Sequence, residues 1–321
     1  MIMQNFLQLL RYKFSTFDVL SNSSPNKEEF SPHCPLDLPL TCQNTTQQLD
    51  SCCFEYPGGV FLQTQFWNYR PSKPGLNETE IISEIGPLDS FTVHGLWPNN
   101  CFGSYEQFCD PSLFIDDVYY LLRESNDTIP LYHFMKTFWK GLVIGDDESL
   151  WIHEFNKHGS CINTIKPSCY SRWENISAMS LSDENIINEK ERKNHSEKNK
   201  FKNRAVIDYF NITKNLFQKL DTYKILKDSN IVPSLDKCYT RDEISKALKK
   251  GFENHEVFFN CNKDNELHEI WYFHHLKGSL LEETFIPIDC SQNPPYSRCK
   301  KEGIKYYPKG YYPSKGTEKT E

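Results

Sequence analysis

The cysteine content constrains the fold of this chain more than any other feature of its sequence. The 321 residues include 12 cysteines, spread between Cys34 and Cys299. Because disulfides persist in oxidising compartments and are rare in reducing ones, an even and scattered set predicts a disulfide framework. Zinc ligation is the alternative, but no C-x2-C pair occurs, and the adjacent Cys52 and Cys53 fit poorly into one tetrahedral site. We therefore expect a disulfide-rich protein with no metal and no other cofactor.

Seven N-x-[ST] sequons also indicate the secretory pathway. Such sequons accept N-linked glycans there, and they begin at Asn22, Asn44, Asn77, Asn126, Asn175, Asn194 and Asn211. The amino terminus disagrees, because Gln4, Asn5 and Gln8 interrupt the apolar core that a signal peptide needs. The sequence contains no run of about 18 apolar residues, so we expect no stable membrane insertion.

Composition divides the chain into a leader, one folded domain and a tail. Residues 1–30 are polar and predict a leader or a poorly ordered amino terminus, and 31–310 predict a single domain. Within it, 171–204 is crowded with Asn, Glu, Lys and Ser, which predicts a polar, partly disordered insertion. The end of the chain, from Gly303 and chiefly over 311–321, is expected to be extended and exposed.

The local patterns predict a mixture of strands and helices. Short runs rich in aromatic and β-branched residues predict strands at 60–67, 91–97, 256–261 and 270–276. Apolar residues at helical spacing predict helices at 111–123, 130–140, 205–220 and 241–252. Thr240 and Glu243 have the spacing of a capping box before the last helix. Helices grouped between strands favour an α+β fold with an antiparallel sheet core packed with helices.

The first candidate functional segment is the strand sequence FTVHGLWP at residues 91–98. In a strand, Thr92 and His94 share one face, while Val93 and Leu96 can face the core. Because Gly95 follows, His94 can approach a substrate closely. The alternative is a purely structural histidine.

The second candidate segment is WIHEFNKHGSC at residues 151–161, one or two helical turns ended by Gly159. His153 and Lys157 are four residues apart, as are Glu154 and His158, so four ionisable side chains share one helical surface. A solvated charged face is one alternative. A metalloprotease is another, but its zinc helix needs histidines at i and i+4, whereas these are five residues apart.

Two histidines and a lysine without a metal suit the cleavage of RNA. The ribose 2′-hydroxyl attacks its own phosphorus, which requires a base for that proton and an acid for the 5′-oxygen. Histidine suits both transfers, each worth about 10²–10⁴-fold in rate, and a lysine stabilises the negative phosphorane. DNA lacks this hydroxyl and is not an expected substrate. The net charge is −7 with neutral histidines and +3 when all ten are protonated, so an acidic compartment favours RNA binding.

FTVHGLWP and HEFNKHGSC resemble the two active-site signatures of the ribonuclease T2 family, and Cys34, Cys42, Cys52 and Cys53 followed by LQTQFW resemble its fungal members. The resemblance runs from about Cys34 to Pro308. It implies an α+β fold and an enzyme that cuts single-stranded RNA, such as tRNA and rRNA, without a metal and with little base preference. Nothing in the sequence suggests oligomerisation, so we expect a monomer. The products would be 2′,3′-cyclic phosphates and then 3′-phosphate ends. It also implies a vacuolar or extracellular location, with release to the cytoplasm and RNA turnover under stress.

The resemblance also assigns roles to the residues. It makes His158 the general base, His94 the general acid, His153 a phosphate ligand, and Glu154 with Lys157 the stabilisers of the transition state. Glu154 beside His158 would raise the pKa of that histidine. Trp97 would stack on a base, with a core tryptophan as the alternative. Asn99 would contact the base where fungal members often have aspartate, and Phe155 stands where tryptophan is usual.

The disulfides implied by the resemblance are Cys34–Cys53, Cys42–Cys101, Cys52–Cys169, Cys109–Cys161 and Cys261–Cys299. Cys238 and Cys290 either form a sixth bridge or stay free. Two other functions remain open: a family member that binds or signals without catalysis, and a metal-dependent hydrolase.

Overall fold

A five-stranded antiparallel sheet forms the centre of the fold in the computed structural model, which describes residues 32, 34–43, 50–179, 190–290 and 297–313. β1 lies between β2 and β5, and β4 and β6 share the outer edge of β5. A separate pair joins β3 to β7. The strands are β1 (Gly58–Phe66), β2 (Thr92–Asn100), β3 (Cys238–Tyr239), β4 (Phe258–Cys261), β5 (Leu267–Leu276), β6 (Phe285–Ile288) and β7 (Ile304–Lys305).

Helices flank the sheet, and several of them begin at a side-chain cap. The capping box predicted at Thr240 is present: its hydroxyl accepts the Glu243 N–H, and the Glu243 carboxylate accepts the Thr240 N–H. The sheet and helices together confirm the predicted α+β class. The helices are α1 (Glu78–Ile85), α2 (Val118–Arg123), α3 (Ile129–Phe138), α4 (Asp147–Lys157), α5 (Pro167–Met179), α6 (Lys190–Lys219), α7 (Thr222–Lys227) and α8 (Arg241–Gly251).

The two faces of β1 have different partners because successive side chains point to opposite faces of a sheet. On one face, the buried Gln65 amide donates to the Leu220 carbonyl (2.9 Å) and accepts from the Thr222 hydroxyl (2.7 Å). On the other face, Leu62 packs in an apolar cluster and Phe66 stacks on His94. The second face therefore carries the candidate site.

The segment after Gly303 differs from its prediction as an exposed tail. Ile304 and Tyr306 are fully buried. The Trp67 indole N–H donates to the Tyr307 carbonyl (2.8 Å), and the buried Lys309 ammonium donates to the Ile85 carbonyl at the end of α1 (2.8 Å). The polar composition of this segment predicted exposure. Its backbone nevertheless forms β7, which pairs with β3.

Two further segments differ from expectation. The predicted helix 111–123 is a short 3-10 turn, Pro111–Leu113, followed by a separate α2, because Asp117 caps α2 by accepting the Tyr120 N–H. The predicted insertion 171–204 is helical where described, in α5 and α6, and Trp173 and Phe201 are buried.

The predicted leader, 1–30, lies outside the described residues. Five disulfides join the pairs implied by the family resemblance, Cys34–Cys53, Cys42–Cys101, Cys52–Cys169, Cys109–Cys161 and Cys261–Cys299. Cys238 and Cys290 are free thiols.

Candidate active site

His94 sits in a β-bulge on β2. Thr64 of β1 pairs with Gly95 and the next residue, Gln65, pairs with Val93, so His94 is left without a partner in the register. A bulge redirects the side chain of its extra residue. The Thr64 hydroxyl accepts the Gly95 N–H (3.0 Å), and the buried Trp139 indole donates to the His94 carbonyl (2.9 Å), which fixes the bulge in place.

The second segment lies at the carboxyl end of α4. The helix begins at Asp147, is capped by Asp146, whose carboxylate accepts the Ser149 N–H, and ends at Lys157. The loop before α2 holds this end: the Phe108 N–H donates to the Lys157 carbonyl (3.0 Å), and Cys109 is bonded to Cys161. Backbone bonds and a disulfide therefore position His158, the residue after the helix.

Glu154 points from α4 onto β2 and is fully buried. Its Oε2 accepts the Trp97 indole N–H (2.7 Å), and its Oε1 lies 3.5 Å from His94 Nε2. Burial raises its pKa to about 7, against the opposing effects of His94 and of the Trp97 bond. A methyl group on Gly95 would collide with the Glu154 carboxyl, so this contact requires glycine. Below about pH 7 the Glu154 carboxyl is protonated and can donate a hydrogen bond.

His158 is buried and stacks on the Trp97 ring, with centroids 5.0 Å apart. Its pKa lies far below the ordinary value of 6.5, first because of burial and then because of Lys157, His94 and His153. The expectation that Glu154 raises this pKa is therefore wrong. The four-residue spacing predicted that Glu154 and His158 lie close together on the helix. The Glu154 carboxyl instead faces His94, and burial has the largest effect on the pKa of His158. A neutral imidazole results, which can accept a proton.

His153 and Lys157 occupy the outer side of the same helix end. His153 is exposed, and its ring approaches the edge of Phe108. Burial of part of the ring, together with the charges of Lys157 and His94, lowers its pKa. Lys157 is half-buried and adds to the positive potential that acts on His158. These two residues can meet an anion at the mouth of the site.

The two predicted base contacts lie further along β2. One face of Trp97 is stacked on His158, and its edge meets Trp271. Asn99 is half-buried and pairs with the exposed Tyr105 in an isolated β-bridge. Trp97 is thus part of the packing that holds Glu154 and His158. The ring of Tyr105, beside Asn99, is more accessible to a substrate base.

Glu269 is a site residue that the sequence analysis missed. Its carboxylate oxygen Oε1 is hydrogen-bonded to His94 Nδ1 at 2.5 Å, across a sequence separation of 175 residues. The only sign of it in the sequence is an acidic residue at the start of an aromatic strand, and the predicted strand began at Ile270, one residue later. Within the described ranges, no group of three or more His, Cys, Asp or Glu side chains is placed to hold a metal ion.

The site brings together the residues that proton transfer at a phosphodiester requires. His94 and His158 both contact the Trp97 ring, with centroid distances of 4.8 and 5.0 Å. Glu154 and Lys157 add a buried carboxyl group and a cation. This combination can accept one proton, donate another and stabilise an anionic phosphorane.

Several known proteins resemble this chain in sequence and fold. Residues 58–299 match the family model described as "Ribonuclease T2 family". A Ribonuclease T2-like protein of Saccharomyces cerevisiae is 49% identical over 98% of this chain and 67% of its own length. Ribonuclease T2 of Aspergillus oryzae is 41% identical over 87% of this chain and 84% of its own length. The crystal structure of Actibind, a T2 ribonuclease, is 36% identical with a TM-score of 0.66, over 86% of this chain and 98% of that one.

Fold, site and relatives together define a disulfide-bonded α+β ribonuclease. The chain spans about two thirds of the length of the Saccharomyces cerevisiae relative. The chain belongs to the ribonuclease T2 family.

Proposed function

We propose that this chain cuts single-stranded RNA internally, forming a 2′,3′-cyclic phosphate that it then hydrolyses to a 3′-phosphate. The supporting observation is the different surroundings of the two histidines: His158 is buried beside Lys157 with a lowered pKa, whereas His94 is bound to a carboxylate. Groups whose surroundings differ in this way take opposite roles in proton transfer. His158 accepts the 2′-hydroxyl proton, and His94 donates one to the 5′-oxygen.

The remaining groups act on the phosphate. His153 and Lys157, at the mouth of the site, bind its non-bridging oxygens. Glu154 Oε1 has no hydrogen-bond partner in the part of the chain that the structure describes. Because the pKa of Glu154 is raised to about 7, its protonated form donates to a phosphoryl oxygen under acidic conditions and its ionised form repels that oxygen. The mechanism therefore favours acidic pH and needs no metal.

The substrates are RNA strands such as tRNA and rRNA, read with little base preference. The 2′-hydroxyl is the nucleophile, so DNA is not cut. A base contacts Trp97 and Asn99, and stacking tolerates any base. The catalytic set lies within one chain, which is consistent with a monomer.

The protein acts in the secretory pathway, in a vacuole or outside the cell, and reaches cytoplasmic RNA under stress, where it contributes to RNA turnover. The disulfides and sequons support this location. Among the described side chains, Asn126 is exposed, Asn77 caps α1 through Oδ1, and Asn211 Oδ1 accepts from Lys214. Each of these can carry a glycan on Nδ2. Asn22 and Asn44 lie outside the described residues, as do the side chains of Asn175 and Asn194. In the described part of the chain, no helix has the length and apolarity to cross a membrane.

The test is cleavage of a mixed-sequence RNA in EDTA at pH 5 and pH 7.5, by the wild type, His158→Ala and the control His133→Ala, an exposed histidine on α3. We expect cyclic-phosphate and 3′-phosphate ends from the wild type and the control. His158→Ala should be slower by at least about 10²-fold. Cleavage that requires a metal would contradict the mechanism, and an inactive, folded wild type would favour a binding protein.

A further inference from the structure

Each ring nitrogen of His94 faces a carboxyl group, but only the one at Nδ1 is close enough for a normal hydrogen bond. The Nδ1 to Glu269 Oε1 distance is 2.5 Å, which is shorter than the about 2.7–2.9 Å of N–H···O bonds between charged groups. The Nε2 to Glu154 Oε1 distance is 3.5 Å, longer than a normal N–H···O bond. In its ionised form a carboxylate can only accept a hydrogen bond, so this contact favours the forms of the ring that carry a proton on Nδ1. Any second proton on the ring is therefore on Nε2 and is available to a substrate.

The ring is also held in a fixed plane. Phe66 stacks on it at a centroid distance of 4.0 Å, and the edge of Trp97 meets it at 4.8 Å. Glu269 is fixed in turn by its place in β5, opposite Phe66 of β1, and only 7% of it is exposed. A buried carboxylate at such a distance fixes the orientation of the ring and therefore the direction of its Nε2–H bond.

We propose that Glu269 is the positioning residue of the reaction: it holds the His94 ring so that the Nε2–H bond is aimed at the leaving 5′-oxygen. This inference rests on the proposed function. In the step it serves, the 2′-oxygen forms a bond to phosphorus and gives its proton to His158. The bond from phosphorus to the 5′-oxygen breaks, and that oxygen keeps the electron pair and takes the Nε2 proton of His94. Glu269 touches no reacting atom and acts through His94.

A pair of substrates separates this role from a structural one. A dinucleoside monophosphate has a 5′-alkoxide leaving group that needs a proton. The corresponding nucleoside 3′-(4-nitrophenyl) phosphate has the same nucleophile but releases a stable phenolate without one. We expect Glu269→Gln to lower kcat for the first substrate by at least about tenfold, which is part of the about 10²–10⁴-fold contributed by a general acid. For the nitrophenyl ester, we expect a change of less than about threefold.

The matched control is Glu266→Gln. Glu266 is also 7% exposed, but it accepts from the Tyr69 hydroxyl and the Asn262 amide and makes no contact with His94 among the described contacts. We expect equal losses on both substrates, or none, from this variant. His94→Ala should show the same selective loss as Glu269→Gln, whereas His158→Ala should impair both substrates.

A measurement on the wild type, with His94→Ala used only to assign the signal, does not depend on the folding of Glu269→Gln. Proton NMR at acidic pH should show a downfield Nδ1–H resonance that is absent in His94→Ala. Its absence from the wild type would overturn the proposal, as would equal losses by Glu269→Gln on the two substrates while His94→Ala stays selective. A wild type that cleaves neither substrate would instead overturn the proposed function itself.

Discussion

Glu55 provides a quantitative test of how burial controls ionisation in this fold. The side chain is 1% exposed, and its carboxyl oxygens accept the backbone N–H groups of Asn163 (2.8 Å) and Thr164 (3.0 Å), just after the catalytic helix. Burial raises its pKa from 4.5 to about 7, against the effect of those two bonds. The perturbation is Glu55→Gln, which keeps the shape of the side chain but cannot ionise.

The sign of the effect follows from linkage between protonation and folding. Because the pKa in the folded state is above that in the unfolded state, folding favours the protonated carboxyl. The resulting stability is fully present below about pH 4.5 and is lost as the pH rises through about 7. One pKa unit corresponds to about 1.4 kcal/mol, so the free energy of unfolding should fall by about 3 kcal/mol over this range because of Glu55.

Guanidinium unfolding of the oxidised protein at pH 4.5 and pH 8 measures this contribution. At pH 4.5 the variant should be about 1 kcal/mol less stable than the wild type, because one hydrogen bond is altered. At pH 8 it should be the more stable protein, by about 2 kcal/mol. The titration of Glu154 occurs in both proteins and cancels in the comparison. The same pH dependence in both would refute the reasoning, since Glu55 would then be ionised in the folded protein.

Three other changes test separate features. Gly95→Ala places a methyl group against the Glu154 carboxyl and should slow RNA cleavage by about 10²-fold with an unchanged circular dichroism spectrum; near-normal activity would show that Glu154 can move without loss. Replacing both Cys109 and Cys161 with alanine opens a loop of 52 residues and should lower the free energy of unfolding by about 4 kcal/mol. A loss below about 1 kcal/mol in guanidinium unfolding would contradict that estimate. Thr240→Ala removes the α8 cap and should lower the same quantity by about 1 kcal/mol, and Thr240→Ser should restore it.

Local patterns predicted the parts of the fold that depend on neighbours in sequence. The strands around 60–67 and 270–276, the helix after Thr240 and the grouping of His153 with Lys157 follow from periodicity and capping, which act over a few residues. The disulfide pairs came from the family resemblance, because spacing alone does not determine connectivity.

Features that depend on contacts between residues far apart in the sequence could not be predicted from local patterns. The bulge at His94 is set by its register with Thr64 and Gln65, some thirty residues earlier, and its partner Glu269 comes from another strand. The pKa of His158 depends on burial, which helical spacing does not give. Each of these features belongs to the site, where packing overrides local preference.

The burial of residues 304–310 has a consequence for the order of events during synthesis. Trp67 bonds with Tyr307 across 240 positions, and Lys309 reaches the end of α1 across 224. The core around Trp67 therefore stays incomplete on the ribosome until residue 309 has left the exit tunnel. A topology with such distant contacts folds slowly. The sulfhydryl groups of the first half are thus exposed to oxidation before their native surroundings exist, and we expect correct pairing to depend on disulfide isomerisation.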